Sequence, residues 1–301
     1  MNAFPHSFRA LLLLGALPMA LAAQRDGDRI DTTLTLNAGG LVQLGVVSGE
    51  IRVTASNRRD VRIRASIDRG RWDLSASRSG IALQSRSVNS RQSGATITVE
   101  VPVGTRVIAN STSGLIDVRG TMSEVAARTT SGRIQVHGAR TRLEVRTISG
   151  SLELRDVQGR MSIEGTSTSI DLENASGDLT AETVSGSIRI RRSALTNLRA
   201  RTTSGTINYE GSLSPTGSYT LNTHSGSITM ALPANVGARL ELETFSGRIS
   251  SDFPLTLQPG QSTGRGRRME FTLGDGRARV SAGAFSGNIN LRRGSAAADR
   301  E

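Results

Sequence analysis

The chain has 301 residues, no cysteine and a formal net charge of +11, and arginine supplies every one of its 37 basic side chains. The missing cysteines exclude a disulfide framework and the common cysteine-rich zinc sites. Aromatic residues make up only 3% of the chain, which argues against dedicated recognition of single-stranded nucleic acid by base stacking. The excess of guanidinium groups favours polyanionic partners instead, because arginine binds phosphate, sulfate and carboxylate through paired hydrogen bonds.

The first 23 residues have the three parts of a signal peptide. Arg9 gives a short basic region, residues 10–20 form an apolar run too short to span a bilayer, and Ala20-Leu21-Ala22 offers the small residues that a signal peptidase requires. No later segment is apolar enough to be a transmembrane span. We therefore predict an exported protein, whether periplasmic, secreted or held at the cell surface.

Residues 24–109 contain short strand-like runs without a constant period. An SGEIRV segment that begins at Ser48 already resembles the phrase that recurs further along the chain. We predict a β-rich N-terminal cap with degenerate rungs here. Such a cap would cover the edge that an uncapped β-solenoid exposes to aggregation.

A repeat organises residues 110–292, which are predicted to form a regular β-solenoid. Segments that share the pattern Thr-x-Ser-Gly-x-Ile-x-Val start 18 residues apart at first and 19 to 21 residues apart later. A constant period near this length is typical of solenoids, in which each repeat forms one coil, or rung. The segments are STSGLIDV from Ser111, TTSGRIQV from Thr129, TISGSLEL from Thr147, GTSTSIDL from Gly165, TVSGSIRI from Thr183, TTSGTINY from Thr202, THSGSITM from Thr223 and TFSGRISS from Thr244.

Alternation within each repeat indicates two β-strands that flank the Ser-Gly pair. It places the isoleucine column that runs from Ile116 to Ile249 inward, together with the threonine that precedes each Ser-Gly pair. The stacked threonines are expected to hydrogen-bond along the axis, and the glycines to form the corners. Thr168 replaces one of these glycines, so its corner should differ locally. The predicted fold is all-β: a parallel β-helix, or β-solenoid, with rungs of about 18–21 residues and the N-terminal cap.

Two arginine clusters are the candidate sites for a polyanion, one in a Gly/Pro-rich segment predicted to be a mobile loop and one on a repeat strand. The alternative is that both are ordinary solvated surface, as most runs of charge are. A polyanion bound there should be released by salt. The polar tail 293–301 is predicted to be disordered. The candidate residues are Arg265, Arg267, Arg268, Arg189, Arg191 and Arg192.

Catalytic chemistry has one candidate patch. Glu153 and Asp171 should lie on adjacent rungs of one outward column, with Glu173 beside them. Carboxylates about 4.8 Å apart could hold calcium or act as the acid pair of a retaining glycosidase. Neighbouring arginines could equally neutralise them in surface ion pairs. His137 and His224 stand apart from any convincing nucleophile, so no hydrolase triad, metal site or cofactor is predicted.

The recurring Thr-x-Ser-Gly phrase, together with the VPVG segment at Val101, resembles a bacterial family of unknown function described as "putative adhesins". The resemblance covers roughly residues 40–292 and implies a β-solenoid of the cell envelope without established catalytic residues. We therefore predict an exported, non-enzymatic module that binds or structures the envelope, with polyanionic polysaccharide or lipopolysaccharide as its partner. The alternative is a polysaccharide lyase or hydrolase on the same scaffold.

Overall fold

The computed structural model describes residues 29–86, 94–254 and 267–294, and in these ranges the chain forms strands and turns. The same ranges contain no helix that could span a bilayer. The predicted signal peptide, Arg265 and most of the predicted tail lie outside the described residues. The strands are β1 (Arg29–Thr35), β2 (Leu41–Ser56), β3 (Asp60–Ile67), β4 (Arg71–Ala76), β5 (Gly80–Arg86), β6 (Gly94–Pro102), β7 (Arg106–Ser185), β8 (Ile188–Ser204), β9 (Ile207–Ser225), β10 (Ile228–Leu232), β11 (Ala238–Ser246), β12 (Ile249–Ser251), β13 (Arg267–Leu273), β14 (Ala278–Ser286) and β15 (Ile289–Arg293).

The body of the molecule is a stack of parallel coils. β7 alone is 80 residues long, because its coils follow one another with only sharp bends between them. The glycines of the Ser-Gly pairs stack closely, so that a Cβ added at Gly132 would lie 2.0 Å from the carbonyl oxygen of Gly114. These corners divide each rung into two strands. The Thr face contains segments such as 124–130, which lead up to a Ser-Gly pair, and the Ile face contains segments such as 133–137, which follow it.

The interior consists mainly of branched aliphatic side chains, as the alternation predicts. Every member of the isoleucine column from Ile116 to Ile249 is at most 8% exposed. The threonines from Thr129 to Thr244 that precede the corner glycines are at most 6% exposed. Burial of each aliphatic side chain stabilises the fold by about 1.5–3 kcal/mol. The prediction of an all-β solenoid with these inward columns is confirmed.

The buried threonine hydroxyls do not bond to one another along the axis, contrary to the expectation. Thr129 donates through Oγ1 to the carbonyl oxygen of Ser131 at 3.3 Å, two residues ahead in its own coil. Thr223 donates to the carbonyl of Gly205 in the neighbouring coil at 3.2 Å. The sharp corner explains the difference, because it brings backbone carbonyls within reach of the hydroxyl. A backbone acceptor therefore satisfies the buried donor in these coils, whereas the hydroxyl of Thr202 has no hydrogen-bond partner among the described residues.

A second corner follows the strand of the Ile face. Gly120 and Gly138 occupy it with φ angles of 91° and 93°, and Asp156, Asn174 and Arg192 follow at the same spacing with φ angles of 54°, 54° and 47°. A left-handed backbone is unfavourable for most side chains, although aspartate and asparagine tolerate it. Arg192 is therefore the residue of this column that fits its conformation least well.

We expect Arg192→Asn to raise the free energy of unfolding by about 0.5–1 kcal/mol, because asparagine adopts the left-handed conformation at lower cost. Loss of the ion pair between Arg192 and Glu173 should offset only part of this, since the nearly buried Glu173 keeps Arg155 as a charged partner at 3.6 Å. Urea unfolding monitored by circular dichroism measures the change. Arg191→Asn is the control, because it removes a neighbouring arginine from an ordinary strand position. A lower midpoint for Arg192→Asn than for the control would contradict the prediction.

The N-terminal end of the stack does not follow chain order. β2 is a rung that lies between β7 on one side and the pair β5 and β6 on the other, and all these pairings are parallel. β3 and β4 add antiparallel strands outside β6 and β5, and β1 pairs with β3. In sequence order, the second rung of the stack, β2, therefore comes before the first, which consists of β5 and β6.

The C-terminal end contains the same kind of exchange. β14 lies between β9 and β11, and β15 lies between β10 and β12, so that the last rung of the chain is inserted inside the stack. β13 then adds an antiparallel strand outside β11. The rung formed by β11 and β12 is thus held to the body of the molecule through residues that come later in the chain.

Two related connections carry the chain past a rung. Residues 103–105 lead from β6 to β7 past β2, and residues 233–237 lead from β10 to β11 past the position of β14 and β15. On the way, the backbone N–H of Val103 donates to the carbonyl oxygen of Ser56 in β2 at 3.3 Å. The similar sequences that begin at Val101 and Leu232 therefore occur where the chain connects two strands that are separated by another rung.

In the coil where Thr168 replaces the corner glycine, a glycine stands three residues earlier, at Gly165. Thr168 is 1% exposed and does not adopt a positive φ angle. Gly165 stands in the threonine column of the same coil, and a Cβ there would lie 2.7 Å from the Cβ and Oγ1 of Thr168. The threonine and the glycine have in effect exchanged positions. The predicted local difference is confirmed, and the Thr168 hydroxyl finds no hydrogen-bond partner among the described residues.

Candidate functional site

A long groove follows the outer surface of the Thr face along the axis of the stack. It has a volume of about 1160 Å³ and is lined by residues from β5 at one end to β14 at the other. It crosses ten successive rungs, which are nine steps of roughly 4.8 Å, or about 43 Å in all. A groove of this shape suits an extended polymer better than a compact small molecule, which would occupy a more enclosed pocket.

One set of side chains in the groove is stacked along the axis, and we call it the exposed column. It consists of the residue that lies between the threonine and the serine of each repeat phrase. Ile148 is 56% exposed and Val184 is 49% exposed, and Thr166 lies between them. Exposed apolar side chains that recur in one row are typical of interaction sites. In stacking order the column contains Val47, Thr112, Thr130, Ile148, Thr166, Val184, Thr203, His224, Phe285 and Phe245.

Three stacked rings mark the C-terminal end of the exposed column. The Phe285 ring lies 4.8 Å from His224 and 4.9 Å from Phe245, and the planes are inclined by only 7° and 6°. Because the rings cover one another's faces, they present mainly their edges to solvent. The edges form a narrow apolar ridge where the groove ends.

The charged column lies beside the exposed column, two residues earlier in each rung. Arg128 donates to Glu144 at 2.6 Å, and Arg146 lies 3.2 Å from Glu164. The bond from Arg128 keeps the pKa of Glu144 below its ordinary value, so this carboxylate stays charged. Both arginines are about half exposed. The column contains Asn110, Arg128, Arg146, Glu164, Glu182, Arg201 and Asn222.

The predicted cluster of Arg189, Arg191 and Arg192 lies on the Ile face in β8, outside the groove. Arg191 donates to Asp171 at 2.9 Å, and Arg192 contacts Glu173. Arg189 is exposed and makes no ion pair with a carboxylate in the described ranges. Two of the three positive charges are therefore already compensated within the protein.

Only part of the other predicted cluster falls within the described residues. Arg267 and Arg268 belong to β13 at the C-terminal edge of the Thr face, whereas Arg265 lies outside the described ranges. Arg268 reaches Glu241 at 2.7 Å and Glu270 at 2.9 Å. The bond to Glu270 raises the pKa of its guanidinium further, so Arg268 remains charged and engaged in internal ion pairs.

The predicted carboxylate patch is paired with arginine. Glu153 lies 2.6 Å from Arg155, and Asp171 accepts from Arg191 at 2.9 Å. Glu173 is nearly buried and lies 3.6 Å from Arg155. In the part of the chain that the structure describes, no three histidine or acidic side chains are grouped so that they could hold a metal ion.

The prediction from sequence assigned binding to arginine clusters and missed the exposed column. The signal was present, because a residue between an inward threonine and a corner serine must face outward, and in five rungs it is valine, isoleucine or phenylalanine. Apolar side chains at outward positions of a strand indicate an interaction surface. The groove itself could not be anticipated, since it depends on how the whole Thr face is shaped.

The parallel coils, the paired strands of each rung and the stacked corners define a β-solenoid. The family model described as Toastrack DUF4097 matches residues 42–292. The protein belongs to this family, and the resemblance inferred from the Thr-x-Ser-Gly phrase is confirmed.

The chain is also similar, at low sequence identity, to two solved structures. A "putative cell adhesion protein" from Clostridium sporogenes is 8% identical with a TM-score of 0.24, over 89% of this chain and 99% of its own. A "putative adhesin" from Bacteroides fragilis is 14% identical with a TM-score of 0.28, over 87% of this chain and 96% of its own. Such TM-scores correspond to poor superposition, and nothing about this chain follows from them. No curated protein sequence matches the chain.

Proposed function

We propose that this protein is an exported, non-enzymatic module of the cell envelope that binds an extended polysaccharide along the groove of the Thr face. The observation that carries the proposal is the groove itself, which crosses ten rungs, each of which contributes an outward side chain to it. The repeat of one sugar ring along an extended glycan is about equal to the spacing between neighbouring rungs, roughly 4.8 Å. Threonine hydroxyls can bond to its hydroxyl groups, and the aliphatic side chains can pack against its apolar face.

The envelope part of the proposal rests on the sequence of residues 1–23, which has the form of a signal peptide. The polymers that an exported, arginine-rich protein meets there are acidic polysaccharide and lipopolysaccharide. The three groove arginines Arg128, Arg146 and Arg201 support an acidic ligand, because guanidinium groups bind carboxylate and phosphate. Affinity for such a ligand should therefore decrease as salt is added.

The rival function is a polysaccharide lyase or hydrolase that uses the patch around Glu153. A hydrogen bond from Gln135, at 2.9 Å, and the nearby Arg155 hold the pKa of Glu153 below its ordinary value. A general acid needs the opposite shift, because it must remain protonated near neutral pH. Glu153 is therefore a poor general acid, and its neighbours Asp171 and Glu173 are held in ion pairs with arginine, which together support the non-enzymatic proposal. Turnover of an acidic polysaccharide that is lost on Glu153→Ala or Asp171→Ala would overturn it.

The proposal predicts that the double substitution Ile148→Asn and Val184→Asn weakens glycan binding at least about tenfold, because it removes two apolar contacts from the groove. Both side chains are about half exposed, so the fold should be retained. The experiment is an array of envelope glycans and lipopolysaccharides, probed with wild type and variant at two salt concentrations.

Val103→Asn is the matched control, since Val103 is 53% exposed but lies outside the groove, in the connection between β6 and β7. The control should bind as wild type does. If the groove variant binds every glycan as tightly as the control, or if wild type binds none of them, the proposed function is wrong.

A further inference from the structure

The charges of the charged column have an order that bears on which polysaccharide the groove would accept. From the N-terminal side they are positive at Arg128 and Arg146, negative at Glu164 and Glu182, and positive again at Arg201. Asparagines Asn110 and Asn222 flank them on either side. The arginines at the two ends are thus separated by two rungs that carry carboxylates.

The ion pairs among these residues leave the charge order available to a ligand. Arg128 and Arg146 are 44% and 52% exposed, and the pair that Arg146 forms with Glu164, itself 49% exposed, contributes at most about 1 kcal/mol. Arg201 is exposed and makes no ion pair with any carboxylate of the described residues. Glu182 is 3.8 Å from Arg199, which is a loose contact. A ligand group can therefore replace these partners.

We infer that the groove selects a linear glycan whose acidic groups are separated by neutral sugar residues, and discriminates against a uniformly charged polyanion. This inference rests on the proposed function, because it names the class of polysaccharide for the same groove. Acidic groups would bind at Arg146 and Arg201, three rungs or about 14 Å apart. Between them, Glu164 and Glu182 would accept hydrogen bonds from the hydroxyls of neutral sugars and repel carboxylates.

The test uses one polymer backbone in which only the density of charge varies. Homogalacturonan of a single chain length is prepared with no, intermediate and complete methyl esterification, and binding to the full chain is measured by affinity electrophoresis. Wild type is expected to bind the intermediate preparation at least about fivefold more tightly than either extreme. Glu164→Gln with Glu182→Gln removes the central negative charges, and this variant is expected to bind the fully acidic polymer best.

The matched control is Glu50→Gln with Glu100→Gln, which changes the net charge by the same amount on the other face, where these residues pair with Arg52 and Arg64. It should keep the wild-type order of preference. If wild-type affinity rises with every added carboxylate, or if the Glu164/Glu182 variant keeps the wild-type order, the inference is wrong.

The outcomes separate the inference from the proposed function. If the Ile148/Val184 groove variant loses binding but wild type shows no preference for intermediate esterification, the groove is the binding site and only the inference fails. If that variant binds all three preparations as wild type does, the groove is not the binding site and both fail. Binding of none of the preparations overturns the inference, whereas the proposed function is decided by the array of envelope glycans.

Discussion

Gly150→Ala is expected to lower the free energy of unfolding by at least about 3 kcal/mol, or to prevent folding. Gly150 has a φ angle of 133°, a conformation that an alanine rarely adopts. A Cβ there would also lie 1.8 Å from the carbonyl oxygen of Gly132 in the coil below. That neighbour is backbone within a hydrogen-bonded stack, so it cannot move aside without breaking the pairing of the two coils.

The matched control for this prediction is Gly80→Ala in β5. Gly80 has an ordinary φ angle, and its added Cβ would come no closer than 3.5 Å to another atom. The control should therefore change stability by less than about 1 kcal/mol, in either direction. Urea unfolding of both variants measures the difference, and similar midpoints would show that the stacked corners tolerate a side chain.

Because Gly165 and Thr168 have exchanged positions, the effects of Gly165→Thr and Thr168→Gly on the free energy of unfolding should be strongly non-additive. Gly165→Thr alone is expected to destabilise by about 2 kcal/mol or more, because the new Cβ would meet the side chain of Thr168 at 2.7 Å. Thr168→Gly alone should cost about 1–2 kcal/mol, since it empties a buried site. Together the two changes restore the arrangement of the neighbouring coils, with a threonine that reaches a backbone carbonyl and a glycine at the corner.

A double-mutant cycle tests this exchange. The double variant is expected to be at least as stable as wild type, which corresponds to a coupling free energy of about 3 kcal/mol. Unfolding midpoints of the four proteins in urea give the cycle. If the losses of the two single variants simply add in the double variant, the two positions do not compensate for each other.

The repeated part of the fold could be predicted from sequence because one physical rule governs it. A side chain every second residue points inward, so the isoleucine and threonine columns follow directly from the spacing of the Ser-Gly pairs. The second corner was harder to recognise, since glycine occupies it at 120 and 138 but aspartate, asparagine and arginine occupy it at 156, 174 and 192. No single residue type marks that corner in the sequence.

The ends of the stack could not be predicted from the same rule. The rung phrases of β9, β11 and β14 are alike, and each pattern would fit beside either of the others. The order β9, β14, β11 is a property of the connections, which spacing does not encode. The candidate site was only partly predictable for a similar reason: the charges were visible, but their partners, such as Glu173 for Arg192, are distant in sequence or lie across a corner.

The interlocked ends restrict where this protein could grow. A coil added before β2 or after β15 would have to displace a strand that is already enclosed between two others. A coil added within β7 meets no such obstacle, because consecutive coils there repeat the same 18-residue pattern and stack in chain order. Duplication of residues 147–164 would thus lengthen the groove by one rung and leave both ends intact. The two ends of the stack are therefore fixed in their number of rungs, and the length of the groove can change only through coils added between them.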